Sequence, residues 1–134
     1  FCIAPHPMAG GFGMKSLSAY SILKALRNVD VARILIGIET YNATTIDKMS
    51  NHYARILGNK LNLAQTASSD AHVIEAIGLG VTEFQGHTAQ DLMHALQAGH
   101  VGQRKQKEWN SVRILGSWAA NYVGSTFTRL ANAA

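Results

Sequence analysis

The stretch RILIGIETY, residues 33–41, constrains the fold more than any other part of the chain. It is rich in β-branched residues and almost continuously apolar, the pattern of a strand buried on both faces. Other short runs resemble it. FCIA (1–4) is an apolar strand closed by Pro5 and Pro7, LNLAQTA (61–67) is a third strand, LGVTEF (79–84) a fourth, and HVGQR (100–104) a short last one. Helix-type patterns separate them. Ser16 caps a helix running to about Asn28, with Leu17, Tyr20, Leu23 (or Ile22) and Leu26 on one face. Thr44 or Thr45 caps the next, whose inward stripe is Ile46, Met49, Tyr53, Ile56 and Leu57 and which ends at Gly58-Asn59. Thr88 caps a helix through Ala98, with Gly99 just past its end. From Glu108 a last, amphipathic helix carries Val112, Leu115, Ala119, Tyr122, Val123 and Leu130 on one side, with Asn110, Arg113, Ser117 and Asn121 opposite. This alternation of strand and helix predicts an α/β fold with mostly parallel strands and outer helices.

Size and composition bound the rest. A chain of 134 residues suits one domain and buries about two thirds of its unfolded surface. With 47% hydrophobic and 15% charged residues it is globular rather than disordered. A net charge of +4 permits phosphate-bearing partners without demanding them. The basic residues are scattered apart from Arg104, Lys105 and Lys107, a run that steers phosphate substrates or is simply solvated surface. Without a basic stripe interleaved with aromatics, sequence-specific nucleic-acid binding is not expected. A single cysteine, Cys2, excludes an internal disulfide and fits a reducing, cytoplasmic setting. No apolar run is long enough to span a bilayer. The last helix has too few basic residues on its polar face for a membrane-surface helix, so no membrane partner is expected. The first residue is Phe and FCIA already reads as a strand, so the chain is expected to begin inside a fold.

In parallel α/β folds, functional groups gather at the carboxyl ends of strands. That rule places APHP, ETYNA and SSDAH on one rim, with His6, Glu39, Asn42, Asp70 and His72. Asp70 and His72 are spaced i, i+2. On an extended segment such residues point to the same side, roughly 6.5–7 Å apart at the backbone. Carboxylate oxygen and imidazole nitrogen together suit Zn²⁺, Mn²⁺ or Fe²⁺. The plainer alternative has Asp70 capping a helix that starts at His72, and for the pair alone it is slightly favoured. His6, stiffened between two prolines, adds a third donor at the same rim, and with it the metal reading becomes the better one.

Other readings fail or stay bland. GGFGMKS lacks the Gly directly before Lys-Ser that a phosphate-cradling loop requires, because Met14 intervenes. The Ser, Asp and His of SSDAH are too close in sequence for a catalytic triad. Cys2, inside a strand, is expected to be an inert core residue. His52, His87, His94 and His100 are structural or exposed, Glu83 and Gln85 a solvated edge, and Trp109, Trp118 and Tyr122 part of a core.

APHP, GIETYNA, SSDAH and GLGVTEFQGHTAQDLMHAL, in this order, resemble the carboxy-terminal half of PHP-domain (polymerase and histidinol phosphatase) proteins. The resemblance covers residues 1–99, leaving 100–134 as a carboxy-terminal extension of short strand and helix. It implies part of a distorted α/β barrel with up to three divalent metal ions (Zn, Mn or Fe) at the strand ends. It implies that His6, Asp70 and His72 are metal ligands, and that Glu39 and Asn42 are pocket or supporting residues. The family's amino-terminal His-x-His motif does not occur in this sequence. The chain is therefore expected to be half of a domain, whose strands gain partners from the remainder or by homo-oligomerisation. The implied activity is metal-dependent hydrolysis of a phosphorylated small molecule or nucleotide. The competing reading is a non-catalytic α/β module acting by association, with one weak metal at most. A third, a polymerase-linked PHP domain, is disfavoured because the chain ends soon after the motif block.

Overall fold

Leu35–Asn42 is the central strand of a three-stranded parallel sheet, and from Gly37 onward every one of its residues is buried. We describe the protein from a computed structural model, which covers residues 1–10, 16–106 and 110–131. In chain order the elements are β1 (Cys2–Ala4), α1 (Ala19–Ala25), α2 (Val29–Ile34), β2 (Leu35–Asn42), α3 (Lys48–Leu61), β3 (Ala64–Ser68), a 3-10 turn at Ile74–Ala76, β4 (Gly80–Phe84), α4 (Ala89–Gln97), β5 (Val101–Lys105) and α5 (Ser111–Ala131). The sheet order is β1-β2-β3, with Ile3 opposite Gly37, Ala4 opposite Ile38 and Glu39 opposite Thr66. The expected α/β character holds for this layer. Its core is Ala4, Ile22, Ile38 and Leu57, with Leu26, Leu35 and Leu63 packed around them.

The second sheet departs from expectation. β4 pairs with β5 antiparallel, from Gly80 opposite Lys105 to Phe84 opposite Val101. The described strands thus form two separate sheets and no closed barrel. The ribbon docks on β3 through side chains. The Thr82 hydroxyl donates to the Ala67 carbonyl at 2.8 Å and accepts from the Ala67 N–H at 2.9 Å. Gln103 donates to the Thr66 carbonyl at 2.8 Å. Gly80 is required at the junction, because a Cβ there would run into the Ser68 carbonyl.

The helices correct several boundaries. The first predicted helix is two. Ser18 caps α1, and Asn28 opens α2 by accepting N–H bonds from Asp30 and Val31, so residues 33 and 34 are helical. Asp47, not Thr44 or Thr45, caps α3, and Ile46 precedes that helix. The helix runs on past Gly58-Asn59 to Leu61 and stops at Asn62 in a left-handed conformation (φ 51°). Its buried residues are Ser50, Ala54, Leu57 and Gly58, while Met49, Tyr53 and Ile56 are exposed. Only Leu57 of the predicted stripe faces the core. The reason is close approach, since a Cβ on Gly58 would lie 3.0 Å from the Ile38 side chain.

In α5 the expected apolar side is open. Val112, Tyr122 and Val123 are exposed, and Trp118 stacks on Tyr122 at the surface, 5.5 Å between rings, rather than in a core. A polar contact joins α5 to the domain: Asn121 donates to the His72 carbonyl at 3.3 Å. Cys2 also differs from expectation, being exposed because β1 is the outer strand of its sheet. Gly11–Lys15, Lys107–Trp109 and the Leu130 side chain, which entered the sequence reading, lie outside the described residues.

Thr88 caps α4 as expected, in a reciprocal box with Asp91. The main-chain N–H of His87, then the hydroxyl and N–H of Thr88, hold the Asp91 carboxyl below its ordinary pKa. The folded value is depressed, so this contact stabilises the fold above the unfolded carboxylate pKa of about 3.9. It is lost as pH falls through the lower folded value. Asp91→Ala is therefore expected to destabilise most near neutral pH and least in acid. Urea unfolding at both pH values checks this, and a constant gap between variant and wild type would refute it.

Candidate functional site

The carboxyl ends of β1, β2 and β3 converge, and hydrogen bonds tie them together. Glu39 is the central tie. It is 6% exposed, and its carboxyl oxygens accept the His6 N–H from the end of β1 and the Ser68 hydroxyl from the end of β3. His6 is half-buried at φ 26°, a left-handed backbone set between Pro5 and the buried Pro7. The bond to Glu39 is what holds this turn to the sheet.

A second tie forms one turn of chain further on. Asn42 is 1% exposed, and its amide Nδ2 donates to Asp70 Oδ2 at 2.9 Å. Its Oδ1 accepts the Thr44 N–H at 3.1 Å. The main chain of Asn42 is bonded in both directions by Asn51 of α3, at 3.0 Å each way. The Thr44 hydroxyl reaches the Ser69 and Asp70 carbonyls, at 2.9 and 2.8 Å. These contacts fix the loop after β3.

Asp70 itself is left-handed, at φ 48°, so the segment is not extended and the simple i, i+2 argument does not apply. The helix-cap alternative does not hold either. The next helical turn starts at Ile74, and Val73 precedes it without a side-chain cap. Instead the Asp70 carboxylate faces Asn42, and its carbonyl oxygen lies 2.8 Å from His72 Nδ1. A carbonyl can only accept, so this contact calls for a proton on Nδ1, which in the neutral ring leaves Nε2 its lone pair. His72 is exposed.

The chain thus brings His6, Glu39, Asn42 and Asp70 to one rim, with His72 just beyond it. Among the described residues, no group of three or more His, Cys, Asp or Glu side chains is placed to hold one ion. The donor types at Asp70 and His72, carboxylate oxygen and imidazole nitrogen, are of the kind that ligate divalent metals. A carboxylate fixed by an amide, and an imidazole whose other nitrogen is bonded to a carbonyl, are the arrangements that orient metal ligands. Sequence reasoning missed three residues of this network. Ser68 lies within the quoted SSDAH motif and was within reach. Thr44 reads as a helix cap, and Asn51 carries no signal at all. Of the other polar residues, Glu83 pairs with Arg104 at 3.1 Å on the solvated ribbon, and Lys105 lies over the Tyr41 ring.

Comparison with known proteins adds one finding. Residues 48–101 match the family model described as PHP-associated. This is consistent with the carboxy-terminal region of PHP-domain proteins, as the sequence motifs suggest. The match runs from the start of α3 to the start of β5, so it includes Asp70 and His72 and leaves out His6, Glu39 and Asn42. Neither the curated proteins nor the solved structures gave a match. No helix among the described residues is long and apolar enough to cross a membrane.

Proposed function

With a PHP-associated segment joined to this rim, we propose that the chain supplies His6, Asp70 and His72 to the divalent-metal site of a PHP-type phosphoesterase. The observation that carries this reading is the way Asp70 and His72 are held. The Asn42 amide fixes one carboxylate oxygen of Asp70, and the Asp70 carbonyl takes the Nδ1 proton of His72. Asp70 Oδ1 and His72 Nε2 are left to bind. Glu39 keeps the His6 turn against the sheet and so sets where its imidazole can reach. When bound, Zn²⁺, Mn²⁺ or Fe²⁺ supplies Lewis-acid polarisation of a phosphoryl oxygen and a water acidic enough to ionise near neutral pH. The substrate is a phosphorylated small molecule or nucleotide, and donors beyond these three residues complete the set.

The test is elemental analysis of the purified chain beside an Asp70→Ala/His72→Ala variant. Stoichiometric Zn, Mn or Fe in the first and its loss in the second is the expected result, and would direct a screen of phosphate esters. No metal in either protein overturns the proposal for this chain and favours an α/β module acting by association.

A further inference from the structure

The Asp70 carbonyl oxygen is a junction. The Thr44 hydroxyl donates to it at 2.8 Å from the β2–α3 loop, and His72 Nδ1 lies 2.8 Å from it on the other side. Thr44 is only 9% exposed, and the same hydroxyl spans to the Ser69 carbonyl at 2.9 Å. The one hydroxyl proton is thus shared between two successive carbonyls of a loop whose next residue but one is the exposed imidazole. Asn42 anchors both ends of this contact. It accepts the Thr44 N–H through Oδ1 and donates to the Asp70 carboxylate through Nδ2. The left-handed turn at Asp70 aims its carbonyl back toward Thr44 and His72 together.

We infer that Thr44 is a positioning residue for His72: by fixing the Asp70 carbonyl it selects the Nδ1–H tautomer and turns Nε2 outward as the ligating atom. A histidine side chain in water prefers the opposite tautomer, with the proton on Nε2. Among the described residues the other hydrogen bond at the exposed His72, from Asn121, is to its main-chain carbonyl and leaves the ring unaffected. The tautomer is a property of the protein alone, whereas its use in metal binding rests on the proposal above.

The test reads both. Long-range proton–nitrogen NMR correlations on the full chain, at a pH where imidazole is neutral, report which nitrogen of His72 is protonated. Zn²⁺ titration of the same samples reports affinity. We expect Nδ1–H to dominate in wild type, Thr44→Val to shift the proton toward Nε2, and Thr44→Ser to restore it. Zn²⁺ affinity should fall about 10–100-fold in Thr44→Val, the usual effect of removing an outer partner, and recover in Thr44→Ser. A wild-type His72 protonated mainly on Nε2, or an unchanged tautomer in a folded Thr44→Val protein, overturns the inference. Should Thr44→Val not fold, Thr44→Ala, which also removes the hydroxyl, decides it by the same tautomer reading. If wild type binds no Zn²⁺ but the tautomers behave as stated, the role of Thr44 stands and the phosphoesterase proposal falls.

Discussion

Replacing Ile38 by Ala is expected to destabilise the protein by about 2–5 kcal/mol, measured by urea unfolding. Ile38 is fully buried, and it sits at the centre of the one core that unites β1, α1, β2 and α3 through Ala4, Ile22 and Leu57. Its Cγ2 also lies against Gly58, where α3 comes closest to the sheet. Gly58 has no side chain of its own to move into the space left behind, and the Thr40 and Gln65 side chains border the same spot. Natural domains hold only about 5–15 kcal/mol in total, so the variant loses a large share of its margin. A change below about 1 kcal/mol would show that this core closes around the gap, contrary to the rigidity argued here.

Glu39→Leu is expected to have the second largest effect, and to act on the rim rather than the core. The substitution keeps bulk but leaves the His6 N–H and the Ser68 hydroxyl, both on half-buried residues, without their buried acceptor. A fully buried donor left unpaired costs roughly 1–3 kcal/mol, so each of these costs up to about that much. Glu39→Gln retains one acceptor oxygen and should lose distinctly less. The two variants together separate hydrogen bonding from packing, with thermal unfolding as the readout. Equal destabilisation by both would mean that the Glu39 carboxyl does not tie the strand ends.

Much of this architecture was legible in the sequence, for identifiable reasons. β2 was visible because burial on both faces leaves a continuous apolar run, and α4 because Thr88 and Asp91 form a cap within four residues of chain. The inward face of α3 was misread because the helix approaches the sheet through small residues. Ser50, Ala54 and Gly58 mark contact by their size, while the larger Met49, Tyr53 and Ile56 ride outside it. Strand direction was not legible either. An α-helix between two short strands suggests a parallel crossover, yet β4 and β5 pair antiparallel across α4. At the rim, residue types identified Asp70 and His72 as a pair, but nothing local reveals that the pair is shaped by Asn42 and Thr44, more than two dozen residues earlier.

The way the two sheets meet has a bearing on how the molecule opens. Separating β2 from β3 breaks a main-chain ladder, whereas lifting the ribbon from β3 breaks side-chain bonds made by Thr82, Gln103 and Ser69. Sub-global opening follows the least protected boundary, so the joint between β3 and the ribbon is the seam of this fold. Residues 69–79, the strip that carries Asp70 and His72, are the covalent bridge across it. Asn42 and Thr44 pin the near end of that strip to β2, so Asp70 keeps its place beside the sheet that carries His6 when the ribbon lifts.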